Sequence, residues 1–171
     1  SPARRQAVRK RTRMRSAHTP CGFIRVKKSG SLSRPLRISR TTAITLLARA
    51  ERPAIVCGGE ARFAACETAL RRFAERAGIP VFMNARAFGM LPWDHPLHAG
   101  EAGNLRVLQS GGQPGPDVVL LLGAKLGMFL GGRQTAVLPR EARLIQVLAQ
   151  PEEIGRIRDI EVPIAADCGS A

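Results

Sequence analysis

The chain has 171 residues, 44% of them hydrophobic, with 27 Lys and Arg against 13 Asp and Glu and a formal net charge of +14. No apolar run approaches the roughly 20 residues that cross a bilayer, and no apolar segment follows the first basic residues as a secretory signal requires. Both classes are excluded, and a soluble, cytoplasmic protein with no membrane partner is expected.

Charge is unevenly spread. Residues 1–40 hold 13 basic side chains and no acid, whereas residues 41–171 hold 14 basic and 13 acidic ones. Residues 1–38 read as a basic arm, disordered by itself, and residues 39–171 as one domain large enough for a single core. Arg4-Arg5, Arg9-Lys10-Arg11 and Lys27-Lys28 can neutralise phosphates, which makes nucleic acid a candidate partner of the arm. Phe23 is the arm's only aromatic, so a platform for stacking bases is missing. The Arg-rich, acid-free composition also resembles an organelle transit peptide, and Ser at position 1 leaves open a start inside a longer gene product.

Within the domain, Ser39 or Thr41 can cap a first helix that carries Leu46, Leu47 and Ala50 and ends before Pro53. The apolar run 53–57 is a buried strand that enters the turn Gly58-Gly59. An amphipathic helix is predicted over 64–77, with Ala65, Ala69, Leu70, Phe73 and Ala77 inward and Gly78 as its stop. A strand over 80–83 completes a β-α-β unit, whose right-handed crossover makes the two strands parallel. Residues 84–103 read as loop. Asp94 and His95 adjoin there, but neighbouring side chains seldom face each other, and a turn role is favoured over a catalytic pair. A short helix over 105–110, a Gly/Pro link over 111–116, strands over 117–122, 144–148 and 160–165, and a short helix opened by Pro151 complete the domain.

Cys21, Cys57, Cys66 and Cys168 show no CxxC spacing and the three histidines stand apart from them, so neither a zinc site nor a disulfide framework is signalled. Cys57 closes an apolar strand and is expected to behave as a small buried hydrophobe. The strands that end at Gly58-Gly59 and Gly123 put their carboxyl ends on one edge, where open α/β sheets bind ligands at a switch in strand order. A nucleotide cleft is the inference, although Gly58-Gly59-Glu60-Ala61-Arg62-Phe63 is not the full G-x-G-x-x-G pattern.

Five phrases occur in order: Arg52-Pro-Ala-Ile-Val-Cys-Gly-Gly, Gly78-Ile-Pro-Val, Gly89-Met-Leu-Pro-Trp-Asp-His-Pro-Leu, Pro116-Asp-Val-Val-Leu-Leu-Leu-Gly and Pro151-Glu-Glu-Ile-Gly-Arg. Together they resemble the central domain of thiamine diphosphate-dependent enzymes, nearest the acetolactate synthase and benzaldehyde lyase branch. The resemblance implies a three-layer, doubly wound, Rossmann-like parallel sheet of about six strands. It also implies two flanking domains, pyrimidine-binding and diphosphate-binding, in a parent that is typically homo-oligomeric. Those domains hold thiamine diphosphate and magnesium, and they supply a catalytic Glu and a Gly-Asp-Gly…Asn metal motif. This chain has no Gly-Asp-Gly, and its only asparagines are Asn84 and Asn104, so neither a catalytic residue nor a metal site is expected in it.

The implied role is that of a central-domain fragment. It would scaffold interdomain contacts in an enzyme that forms or cleaves C–C bonds of 2-oxo acids or aldehydes, and it would be inactive alone. Residues 1–38 match nothing of the pyrimidine-binding domain, as a frameshift or a truncated gene would produce. Some family members hold FAD or ADP in this domain, and the matching positions are Gly58, Gly59, Asn84, Ala85, Gly123, Ala124 and Lys125. Lys125 stands where Arg is usual, keeping the charge but losing the planar fork. Leu148 and Gln150 replace an acidic pair that can reach a ribose. A stand-alone module for FAD, ADP or NAD, and a basic nucleic-acid-binding protein, stay open beside the scaffold.

Overall fold

The computed structural model describes residues 40–132 and 137–171. The basic arm expected over 1–38, its phosphate contacts and the capping role of Ser39 lie outside the described residues. Helix α1 (Arg40–Ala48) buries Ala43, Leu46 and Leu47, spaced three and four apart on one face. Strand β1 (Pro53–Cys57) follows, then α2 (Gly59–Phe63), α3 (Glu67–Ala77) and β2 (Val81–Met83). Next come β3 (His98–Glu101), α4 (Asn104–Ser110), β4 (Val118–Leu122), β5 (Arg143–Leu148) and β6 (Val162–Ala165). Single 3-10 turns lie at Ala85–Ala87, Met128–Leu130 and Pro151–Glu153.

The six strands pair in parallel in the order β3-β2-β1-β4-β5-β6. Alternate strand residues therefore enter two separate cores. Ile55, Cys57, Val81, Met83, Ile145 and Val147 face α1 and α3. Val56, Phe82, Val119, Leu121, Leu144 and Leu148 pack with Leu105 of α4 and with Leu130, Leu138 and Ile160. With both faces covered, a strand reads as a continuous apolar run, which is why 53–57 and 118–122 were legible. Each fully buried Ile or Leu here, such as Ile55, Leu121 or Ile145, contributes about 1.5–3 kcal/mol. The sheet is the expected doubly wound α/β architecture.

At the edge where the strands begin, Asp117 ties two chain segments together. Its carboxylate accepts the backbone N–H groups of Glu51 at 2.9 Å and Arg52 at 2.8 Å, fixing the entry of β1 beside β4.

Two elements differ from expectation. The helix predicted over 64–77 begins later, as α3 at Glu67, and the residues directly after Gly58 form a separate short helix, α2, with Ala65 (φ 48°) in the connection between the two. Leu70 and Ala74 are buried and Phe73 is half-buried, whereas Ala65, Ala69 and Ala77 are exposed. Gly78 ends α3 in the left-handed conformation with φ 63°, as its sequence position required. The second difference is β3, an edge strand inside the segment read as loop.

Candidate functional site

The strand order reverses between β1 and β4, so the switch point lies where Gly58 and Gly123 follow these strands. The two turns are joined through their backbones. Gly58 N–H donates to the Leu122 carbonyl at 2.9 Å, Glu60 N–H to the Gly123 carbonyl at 3.2 Å, and Gly123 N–H to the Val147 carbonyl at 2.9 Å. A methyl group built on Gly58 would overlap the Gly123 oxygen and the Ala124 Cα. One on Gly123, which has φ 62°, would overlap the Ala61 nitrogen. Both glycines are thus required by contact between protein backbones. Gly59 differs, because a Cβ there would meet only Arg86 Cβ at 3.5 Å and the Phe63 ring at 3.9 Å, ordinary contact distances.

Above this crossing, side chains link the three loops that leave β1, β4 and β5. Glu60 Oε2 accepts the Ala149 N–H at 3.0 Å, and Glu60 Oε1 lies 3.5 Å from Lys125 Nζ. Lys125 Nζ donates in turn to Gln150 Oε1 at 3.0 Å. Below them, Gln146 is fully buried in β5. Its amide donates to the Ala124 carbonyl at 3.0 Å and accepts the Gly155 N–H at 3.0 Å, so both of those loops are held by one side chain.

Asn84 and Ala85 leave β2 on the other side of Gly59. Asn84 is buried, and its backbone N–H donates to the Cys57 carbonyl at 2.9 Å. Ala85 takes a φ of 48°, a left-handed conformation that a residue with a Cβ rarely adopts. Arg62 donates to the Phe88 carbonyl at 3.0 Å, and both Phe63 and Phe88 are exposed. The seven residues singled out from the sequence therefore form two groups. Gly58, Gly123, Ala124 and Lys125 meet at the switch point, while Asn84 and Ala85 follow the neighbouring strand β2 and lead to Arg86, whose Cβ faces Gly59.

Glu60, Gln146 and Ala149 belong to the same assembly and were not singled out. A charged residue directly after the glycine pair was the one local signal for Glu60. The expected turn reading of Asp94-His95 agrees with the geometry: His95 Nδ1 accepts the Leu97 N–H, and His95 Nε2 lies 3.2 Å from Glu75 Oε1. Arg71 and then His95 hold the Glu75 carboxyl below its usual range. Cys57, Cys66 and Cys168 are free and buried. Burial raises all three thiol pKa values, that of Cys168 to about 12. Such thiols are poor nucleophiles.

The protein's own groups occupy this edge as it is folded. The space beside Gly58 is filled by Gly123, Lys125 is engaged by Glu60 and Gln150, and the Ala149 N–H is taken by a carboxylate. Among the described residues, no group of three or more His, Cys, Asp or Glu could hold a metal ion. No helix among them is long and apolar enough to cross a membrane.

The pattern of the family "Thiamine pyrophosphate enzyme, central domain" matches residues 40–171. An oxalyl-CoA decarboxylase of Escherichia coli (strain K12) is 34% identical over 151 residues, covering 87% of this chain and 25% of that protein. An acetolactate synthase large subunit of Corynebacterium glutamicum is 32% identical over 126 residues, covering 73% of this chain and 20% of that protein. An X-ray structure from Mycobacterium smegmatis, described as a thiamin diphosphate-dependent enzyme, superposes with a TM-score of 0.59 at 26% identity, covering 75% of this chain and 25% of that one. The chain spans about a quarter or less of the length of these relatives.

Proposed function

This chain belongs to the thiamine pyrophosphate enzyme central-domain family, and from that premise we propose that it is the interdomain scaffold of an enzyme forming or cleaving C–C bonds of 2-oxo acids or aldehydes. The observation that carries this reading is the family match across the whole described sheet. Enzymes of this family depend on thiamine diphosphate, whose ylid supplies the carbanion chemistry. The residues described here contribute a rigid layer. Both sheet faces are buried, and the loops leaving β1, β4 and β5 are tied to one another.

The proposed partners are a pyrimidine-binding and a diphosphate-binding domain, in a cytoplasmic homo-oligomer. Buried, unpaired thiols suit a reducing compartment. Purified chain supplied with thiamine diphosphate, magnesium and either pyruvate or benzaldehyde is expected to show no turnover. Measured carboligation or decarboxylation would overturn the scaffold reading.

For FAD or ADP, the proposed contact set is Gly58, Gly59, Asn84, Ala85, Gly123, Ala124 and Lys125. It requires the side chains at the switch point to rearrange first. Titration calorimetry with each nucleotide tests that set, and Lys125→Met should lower any affinity found. Neither a stand-alone nucleotide module nor a nucleic-acid-binding protein is favoured by the relatives.

A further inference from the structure

The cysteines of the described residues all belong to the core under α1 and α3, but they differ in what surrounds them. Cys57 ends β1 and is fully enclosed. Cys66 and Cys168 instead stand in the wall of one cavity of about 240 Å³, which Ala69, Leu70, Val147 and Ile164 also line. Cys66 directly precedes α3, and its thiol donates to the Ala61 carbonyl at 3.3 Å. Cys168 belongs to a turn after β6, in which the Asp167 carboxylate accepts the Gly169 N–H at 2.8 Å and the Asp167 carbonyl accepts the Ser170 N–H at 3.0 Å. That turn packs on the connection between α2 and α3, because a Cβ built on Gly169 would lie 3.2 Å from the Ala64 carbonyl oxygen. Burial first, and then the neighbouring Cys66 sulfur, raise the Cys168 pKa to about 12. Two thiols from distant parts of the chain thus share one open space. That space is several times the roughly 30 Å³ share of one water molecule, so either side chain has room to turn toward the other.

We propose that Cys66 and Cys168 are a modification site, a dithiol that a low-molecular-weight disulfide converts into an intramolecular disulfide across this cavity, pinning the turn after β6 to the connection between α2 and α3. One protein thiolate attacks the external disulfide, forming a mixed disulfide and releasing one small thiol. The second protein thiolate then attacks the mixed disulfide at the protein sulfur and releases the other small thiol. Both protein hydrogens end on the two released thiols, so the protein is oxidised and the reagent reduced in equal measure. Cys57 lies outside the cavity wall and takes no part. Raised thiol pKa values make the reaction slow at neutral pH, which keeps the pair reduced until an oxidising disulfide pool persists.

The test uses the whole chain carrying Cys21→Ala, because Cys21 lies outside the described residues. It is incubated with oxidised glutathione at about pH 9, where the thiolate fraction is higher, at a concentration that leaves its circular dichroism unchanged. The product should have lost the mass of two hydrogens, and peptide mapping should join Cys66 to Cys168 with Cys57 free. Adding Cys66→Ala or Cys168→Ala should stop the reaction at glutathione bound to the remaining cavity thiol. The link closes a loop of about 100 residues, so the oxidised chain should melt about 5 °C or more above the reduced one. If Cys66 and Cys168 of the folded chain stay free, retain glutathione or pair with Cys57, the proposal is overturned. A midpoint unchanged or lowered by the bond would overturn the pinning.

Discussion

At the residue scale, the two neighbouring glycines of the first turn have different reasons to be glycine. Gly58 has an extended φ of −117°, which any residue can adopt, so its constraint is the Gly123 backbone pressed against it. Gly58→Ala should cost about 3 kcal/mol through forced separation of the two turns. Gly59 is the first residue of α2 and has room for a methyl, so Gly59→Ala should stay within about 0.5 kcal/mol of wild type. Urea unfolding of the pair measures the contrast. Equal costs would show that the crossing is not the source of the constraint. Gln146 gives a second residue-level expectation. Gln146→Leu leaves the Ala124 carbonyl and the Gly155 N–H without their partner in the core and should destabilise by about 2–4 kcal/mol, read in the same assay.

At the scale of elements, the strand entries are tuned by a single carboxylate. Burial acts to raise the Asp117 pKa, but the N–H groups of Glu51, Arg52, Asp117 and Val118 outweigh it and hold the value below the usual aspartate range. A depressed folded pKa contributes stability that is present above the unfolded value of about 3.9 and is lost as pH falls through the folded value. Thermal midpoints of wild type should therefore fall as pH drops below about 4, and Asp117→Asn should flatten this acid limb. Identical slopes in the two proteins would refute the link.

Sequence periodicity located β1, β4 and β5 closely because these strands are apolar on both faces. It missed β3, whose His98-Ala-Gly-Glu101 is short, half-exposed and without an apolar run. It also began α3 three residues early and turned Ala69 and Ala77 inward, whereas Leu70 and Phe73 do pack on the core as expected and Ala74 is the buried residue it left out. The left-handed φ of 48° at Ala65, just before α3, has no signature in composition.

At the scale of the whole molecule, both cores share the four central strands β1, β2, β4 and β5, so neither face can lose its packing while the other keeps it. Heating should produce one cooperative transition with equal calorimetric and van't Hoff enthalpies. Two resolved transitions would show that the faces unfold separately. The same sharing explains why the residues of the switch point act together. Gly58 and Gly123 leave adjacent central strands, and Gln146 on the next strand holds the loop between them and β6.

The amino-acid order by itself determined the parallel α/β sheet, the stop at Gly78, the glycine turns and the family resemblance. Each of these is encoded within a few adjacent residues, as an apolar run, a missing Cβ or a short phrase. The tertiary structure alone decided what occupies the switch point. Glu60 meets Ala149 across 89 positions and Lys125 meets Gln150 across 25, and contacts between such distant residues exist only once the strands are aligned in their final register.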